Sequence, residues 1–185
     1  AAFGENGGRM RALLSMLDIA PEHVSRIIFS HLHSDHCGGA LTGDTLTFPN
    51  AEIVLHAREA AHWVGKDAVA GRLLDLVPAV RTVRGGDDLG GGLRMWSLPG
   101  HTPGHIGLRI GDLALVGDIV HSEALQLADP TLGPIYDEDA GMAVQSRQMA
   151  LRKISDDGLI WSGCHMLGPE KFAGLRPCAE GFERS

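Results

Sequence analysis

Apolar positions along the chain follow two periods, which predicts a mixture of helices and strands. Residues 10–17 carry apolar side chains at helical spacing and predict an amphipathic helix, which Pro21 ends. The apolar run at 24–29 is typical of a buried strand. A second strand is predicted at 52–56, and a short helix at 57–64 follows it.

The later part of the chain continues this mixture of helices and strands. Helices are predicted at 66–77 and at about 138–155, and strands at 94–98, 106–110, 113–116 and 159–161. Gly111-Asp112 separates two of these strands and predicts a two-residue hairpin turn. We expect irregular structure at 40–50 and 129–137, and the stretch after 165 is only weakly patterned. Because no linker interrupts the pattern, the sequence predicts one domain over residues 1–185.

Composition narrows the classes of partner. The 185 residues are 44% hydrophobic and carry a formal net charge of −7 without a basic cluster. An acidic chain of this kind argues against a nucleic-acid partner and leaves a small-molecule substrate as the expected one. The longest apolar runs are too short to cross a bilayer, so we expect no membrane partner.

The cysteines do not predict a disulfide framework, because there are three of them. Cys37 and Cys164 each sit beside a ligand-type histidine, and we expect both to be small packing residues rather than nucleophiles. The compartment stays open. We favour the cytoplasm. The alternative is that an upstream signal peptide was removed, since the chain starts at Ala1 without methionine.

The stretch Ser30–Gly39 contains the most informative chemistry. His31, His33, Asp35 and His36 fall within six residues, directly after a predicted strand. Side chains two residues apart in an extended segment point the same way, so His31 and His33 can share one face. Asp35 and His36 can approach the same point after the chain turns. Imidazoles and a carboxylate that converge in this way predict a divalent metal site, with zinc preferred.

Ligand-type residues also follow several of the later predicted strands. The complete set resembles the metallo-β-lactamase superfamily over about residues 4–175. The matching motifs are His31-x-His33-x-Asp35-His36, Gly100-His101-Thr102, Gly117-Asp118 and Gly163-Cys164-His165. The resemblance implies a four-layered αβ/βα sandwich, in which two mixed β-sheets lie face to face with helices outside and the site lies at one edge.

The resemblance also implies a role for each matching residue. One metal ion would bind His31, His33 and His101, and a second would bind Asp35, His36 and His165. Asp118 would bridge the two ions. Zinc is the preferred metal, with manganese, iron and cobalt as alternatives. Three imidazoles leave an open position for water on a tetrahedral zinc ion, which agrees with this division.

The implied activity is that of a dinuclear hydrolase. A metal-bridging hydroxide would cleave an ester, lactone or phosphotriester bond, and Asp35 and Asp118 would be its catalytic carboxylates. N-acyl-homoserine lactonase and β-lactamase activity are the nearest alternatives. Ligands rich in histidine and carboxylate suit iron as well, so an iron-dependent oxidoreductase on the same fold and a non-catalytic metal-binding protein also stay open.

Within the superfamily, the methyl parathion hydrolase-like branch is the most similar. Gly117-Asp118-Ile119-Val120-His121 carries that likeness, and Trp63 matches an aromatic residue of the pocket wall. His105 is expected beside the ligands rather than among them, and His121 is expected near the site. A tyrosine that lactonases often carry beyond the bridging aspartate has no evident match, since the only tyrosine is Tyr136.

One departure from the family concerns the first residues. Family members normally begin with several strands before the helix predicted at 10–17. This chain lacks those strands, and an expected flexible lead-in at 4–8 precedes the helix. It would be a fragment, a trimmed chain, or a protein whose first sheet another chain completes, which leaves a homodimer open. We expect the edge of the first sheet to be exposed in consequence.

Overall fold

A computed structural model describes residues 8–66 and 68–185, so most of the expected lead-in at 4–8 lies outside the described residues. Six α-helices lie in this part of the chain, at α1 Met10–Met16, α2 Ser34–Cys37, α3 Ala57–Trp63, α4 Val69–Leu76, α5 Glu123–Gln126 and α6 Ala140–Asp156. Eleven strands accompany them, at β1 Arg26–Ile28, β2 Leu41–Thr42, β3 Thr45–Leu46, β4 Glu52–His56, β5 Val80–Val83, β6 Leu93–Ser97, β7 Ile106–Ile110, β8 Leu113–Leu115, β9 Ile160–Ser162, β10 Leu175–Pro177 and β11 Phe182–Arg184.

Two sheets form the centre of the fold. The first has the order β1-β4-β5, and the second has the order β6-β7-β8-β9. Both pairings of the first sheet are parallel, so it is not the mixed sheet that the family resemblance implied. In the second sheet, β7 is antiparallel to β6 and β8, whereas β8 and β9 are parallel. β6, β8 and β9 therefore run in the same direction.

Alternation of side chains along β4 creates two cores. Val54 points between the sheets and packs with Met95 and Ile106 of the second sheet. Its neighbours Ile53 and Leu55 point the other way, into a core that α4 covers. The expectation of two sheets face to face, with helices outside, is confirmed.

Helix α6 covers the outer face of the second sheet. Its buried side chains Ala150, Leu151 and Ile154 pack against Ala114 and Trp161 of that sheet. Asp139 caps the helix by accepting a hydrogen bond from the backbone N–H at position 142. The pattern at 138–155 therefore predicted this element to within two residues.

Several sequence predictions differ from the structure. The segment 40–50 contains the β2–β3 hairpin, and the strand at 80–83 and the β10–β11 hairpin went unpredicted. β1 is shorter than the apolar run and only partly buried, because among the described residues it pairs on one side only, with β4. Helix α1 forms as predicted, but the described part of the chain leaves its apolar side chains largely exposed.

The topology brings the candidate site residues to one edge. The loops that follow β1, β6, β8 and β9 carry the ligand-type residues, and these four strands end on the same side. A backbone hydrogen bond joins the two sheets there, because the N–H of Ile106 donates to the carbonyl of Ser30 at 2.9 Å.

Candidate metal centre

The structure brings together the seven residues to which the sequence analysis gave metal-ligand roles. His31 and His33 lie in the extended segment before α2, whereas Asp35 and His36 lie on its single helical turn. The three remaining residues follow strands of the second sheet and are His101, Asp118 and His165.

Three imidazoles form the first half of the centre. His31, His33 and His101 each offer a ring nitrogen, and these atoms lie within 4.8 Å of one another. His33 Nδ1 lies 3.0 Å from His101 Nε2. The rings of His31 and His33 meet edge to face, as do those of His33 and His101. Two of the three side chains are buried, so an ion here would be shielded from bulk water.

The second half combines histidine and carboxylate. Asp35, His36, Asp118 and His165 also offer ligand atoms within 4.8 Å of one another. Asp35 Oδ2 lies 3.4 Å from His36 Nε2 and 3.7 Å from His165 Nε2. Asp35 and His165 are about one-third exposed, so this half faces solvent more than the first half does.

Asp118 lies between the two halves and is 2% exposed. Five histidine Nε2 atoms surround its Oδ2, at 3.0 Å for His36 and His165, 3.4 Å for His121, 3.5 Å for His101 and 3.7 Å for His31. A carboxylate with imidazoles of both halves within 4 Å occupies the position of a bridge between two ions.

Two buried atoms show that these residues fit a metal. His31 Nε2 and Asp118 Oδ1 lack any hydrogen-bond partner among the described residues, although buried polar atoms are normally paired. Both atoms belong to residues of the two ligand sets. The donor set of imidazole nitrogen and carboxylate oxygen suits zinc and neighbouring divalent ions.

Electrostatics in the protein alone favour a neutral imidazole at His31. Burial, followed by the neighbouring His105, holds the pKa of His31 far below its ordinary value, so its lone pair stays available. Burial also lowers the pKa of His36, but hydrogen bonds with Asp118 and Cys164 outweigh it and raise that pKa to about 10. Burial raises the pKa of Asp118, but hydrogen bonds from His121 and His36 outweigh it and keep Asp118 ionised.

His105 contacts the backbone of Asp118 from behind. Its Nδ1 donates to the carbonyl of Leu98 at 2.9 Å, and its Nε2 accepts from the backbone N–H of Asp118 at 2.9 Å. Gly117 makes this close approach possible, because a Cβ there would lie 2.5 Å from His105 Nε2 and its φ is +55°. His105 therefore contacts the backbone next to the site, beside the ligands as expected.

His121 and Trp63 line the cavity above the centre. His121 belongs to a third ligand-type set with His101 and Asp118, so it is an eighth candidate ligand. Its ring stacks on that of His165 with centroids 4.8 Å apart. Trp63 is partly buried and belongs to both the cavity wall and the edge of the core.

Sequence reasoning missed Glu59, whose carboxylate joins the two loops that carry the first half of the centre. This fully buried carboxylate accepts from the N–H of Leu32, which lies between the candidate ligands His31 and His33, at 2.9 Å. It also accepts from Thr102 Oγ1 at 2.7 Å and from the N–H of Gly104 at 3.1 Å, on the loop that follows His101. The sequence contained one signal for this residue, because Glu59 is a charged residue on the short helix α3, which otherwise packs against the core.

Asp137 and Arg147 were missed as well. Asp137 Oδ1 lies 2.9 Å from His101 Nδ1, and its Oδ2 lies 3.3 Å from Arg147 Nη2. Both side chains are at most 1% exposed. All three cysteines are free, and burial raises the pKa of the Cys37 thiol to about 12, which keeps it protonated.

A cavity of about 520 Å³ opens above the metal centre. Its floor contains ligand-type side chains, and one wall is apolar, formed by Leu32, Trp63, Ala68, Val69 and Ala70. Tyr136 lines the cavity as well. The described lining contains acidic and histidine side chains but no lysine or arginine.

Comparison with known proteins places the fold. The structure matches that of AidC, a dizinc quorum-quenching lactonase solved in complex with a product, with a TM-score of 0.90 and 24% identity, over 98% of this chain and 70% of that one. The hydrolase AbOPH, assigned to the beta lactamase superfamily, matches with a TM-score of 0.87 and 23% identity over 100% and 71% of the two chains. At these identities the likeness shows the fold alone.

Sequence comparison identifies the protein family of this chain. A hydroxyacylglutathione hydrolase of Anaeromyxobacter dehalogenans (strain 2CP-C) is 29% identical over 141 residues, which are 69% of this chain and 50% of the relative. The matched chain thus spans half the length of this curated relative. Residues 2–165 match the family described as the Metallo-beta-lactamase superfamily. The chain belongs to the metallo-β-lactamase superfamily.

Proposed function

We propose that the chain acts as a dinuclear metal-dependent hydrolase of uncharged esters: lactones, carboxylic esters or phosphotriesters with an apolar arm. The observation that carries this proposal is the convergence of two ligand sets on Asp118, on the floor of a cavity with an apolar wall. Two divalent ions held there would lower the pKa of water toward 7 and supply hydroxide at neutral pH.

The residues of the chain have separate tasks in this proposal. His31, His33 and His101 would hold one ion, while Asp35, His36 and His165 would hold the other, and Asp118 would bridge them. The carboxylate of Asp35, about one-third exposed, lines the cavity and can accept a hydrogen bond that orients the attacking water. His121 lines the same cavity and stacks on His165.

The charge of the cavity supports an uncharged substrate. An anionic thioester such as a hydroxyacylglutathione would find no lysine or arginine in the described lining to pair with the carboxylates of its glutathione arm. The apolar wall around Trp63 and Val69 instead suits an acyl, alkyl or aryl arm. The likeness of the fold to that of AidC, a lactonase, supports a lactone as one of these substrates.

A hydrolysis panel tests the proposal. The protein, loaded with zinc, manganese or cobalt and checked for metal content, is assayed on a p-nitrophenyl ester, an N-acyl-homoserine lactone, an aryl phosphotriester, a hydroxyacylglutathione and a β-lactam. We expect turnover of at least one of the first three, and little turnover of the thioester.

Each alternative gives a different result. Two bound ions without turnover of any substrate would leave a non-catalytic metal-binding protein. Iron in the freshly purified protein, together with a redox signal, would favour the oxidoreductase. Preferred turnover of the hydroxyacylglutathione would contradict the argument from the charge of the cavity.

A further inference from the structure

Arg147 contacts four separate groups without reaching the cavity. It lies on α6 and is 1% exposed. Its guanidinium donates to the carbonyls of Ile119, Pro130 and Leu132, and to the carboxylate of Asp137 at 3.3 Å. A buried arginine whose five N–H donors meet this many acceptors fixes the relative position of the segments that supply them.

The contact with Asp137 leads to the first half of the metal centre. Asp137 accepts from His101 Nδ1 at 2.9 Å through the oxygen that Arg147 does not contact. A proton on Nδ1 leaves the lone pair of His101 on Nε2, the atom that lies 3.0 Å from His33 Nδ1. Arg147 thus holds the carboxylate that selects the tautomer and direction of a candidate ligand.

The contact with Ile119 leads to the bridging carboxylate. Ile119 directly follows Asp118, so the bond from Arg147 Nε anchors the backbone next to the bridge. The bonds to the carbonyls of Pro130 and Leu132 anchor the loop that continues to Tyr136 on the cavity wall. One side chain therefore connects His101, Asp118 and the cavity wall.

We propose that Arg147 is a positioning residue for the metal centre, acting on His101 through Asp137 and on Asp118 through the carbonyl of Ile119. The proposal rests on the dinuclear centre proposed above. Its competitor is a buried ion pair that stabilises the fold and has no influence on the metal ligands.

Zinc binding to the folded, metal-free protein separates the two. Zinc is titrated in competition with a chromophoric chelator, below the unfolding transition of each variant, and the urea midpoint is measured in parallel. The variants are Arg147→Met, Arg147→Lys and Asp137→Asn, with Arg152→Met as the control because Arg152 lies on the same helix and is exposed.

We expect Arg147→Met and Asp137→Asn each to weaken binding of at least one zinc ion by about 10- to 100-fold. Arg147→Lys should fall between these variants and the native protein, because it keeps the charge beside Asp137 but loses the geometry of the guanidinium. The control should stay within about twofold of the native protein. The double variant Arg147→Met/Asp137→Asn should lose less than the product of the two single losses, because both act through His101.

Native zinc affinity in folded variants with lowered urea midpoints would overturn the proposal and leave the structural ion pair. Independent losses that multiply in the double variant would overturn the route through His101. If Arg147→Met does not fold, the lysine and asparagine variants decide. Because these readouts do not use turnover, a native protein that binds two ions but hydrolyses no substrate would refute the proposed function alone.

Discussion

Replacing Glu59 tests how the first half of the metal centre is held. Its carboxylate is fully buried and accepts four hydrogen bonds, from the N–H groups of Leu32 and Gly104, from Thr102 Oγ1 and from Trp63 Nε1. These donors lie on the loop that contains His31 and His33, on the loop after His101, and on α3 itself. Glu59→Ala removes the common acceptor of all of them.

The expected loss of stability follows from the number of donors left without a partner. Leu32, Thr102 and Gly104 are buried, whereas Trp63 is only partly buried and can regain a bond to water. A stranded buried donor costs about 1–2 kcal/mol, so the three together cost roughly 3–6 kcal/mol. Since a domain is stable by about 5–15 kcal/mol, this change would remove much of the total.

Urea denaturation of the metal-free protein measures the effect. With a slope of about 2 kcal/mol per molar urea, the midpoint should fall by about 1.5–3 M. Glu59→Gln keeps one oxygen and hence two of the four bonds, so its midpoint should fall by roughly half as much. Arg58→Ala, at the exposed neighbouring position on α3, is the control and should change stability by no more than about 0.5 kcal/mol.

Two results would refute this reasoning. The first is a midpoint for Glu59→Ala that is no lower than that of the Arg58→Ala control. The second concerns Glu59→Gln, which should also weaken zinc binding if Glu59 sets the distance between His33 and His101. Native zinc affinity in this variant, with stability reduced, would show that the bonds stabilise the loops without positioning the ligands.

Three further predictions concern metal content, pH and substrate charge. His33→Ala should lower the zinc content from two equivalents to about one and reduce any hydrolysis by at least about 100-fold, and full content with full activity would contradict the assignment. Burial, followed by the neighbouring His101, lowers the pKa of His105 to about 3, against about 6.5 in the unfolded chain. The resulting stabilisation is complete above pH 6.5 and is lost as the pH falls from 6.5 toward 3, at about 1.4 kcal/mol per pH unit. Over this window, the urea midpoints of metal-free His105→Gln should therefore fall less steeply than those of the native protein. Ala68→Lys adds a cation to the cavity wall and should raise kcat/KM for a hydroxyacylglutathione about fivefold relative to a neutral ester, for an interaction of about 1 kcal/mol. An unchanged ratio of the two kcat/KM values would contradict the charge argument.

The sequence predicted those parts of the fold that depend on local patterns. The short apolar run at 53–55 and the hairpin around Gly111 are readable without the tertiary structure, because such a run indicates a buried strand and Gly-Asp indicates a tight turn. Val80–Val83 was missed, since two of its four residues are exposed and its pairing with β4 joins distant parts of the chain. The prediction that β1 is buried was wrong because burial of a strand depends on partners on both sides, and the described chain supplies one.

The candidate ligands were readable for a different reason. Four of them fall within six residues, from His31 to His36, and the others each follow a predicted strand, so their chemistry is visible in one dimension. Glu59 and Asp137 act through bonds to residues 43 and 36 positions away, at Thr102 and His101, and no local pattern predicts such pairs.

Arg147 shows that one signal of this kind was present in the sequence. The buried face of α6 includes Ala143, Ala150, Leu151 and Ile154, and helical spacing places Arg147 on that same face, four residues after Ala143. A charge on an apolar helix face must find acceptors inside the fold, because an unpaired buried charge costs too much free energy to persist. The sequence therefore contained the position of a buried cation, whereas its acceptors, the carbonyl of Ile119 and the carboxylate of Asp137, became visible only when the second sheet and its loops were assembled. The candidate ligands are thus encoded locally in this chain, and their geometry depends on contacts that only the complete fold brings together.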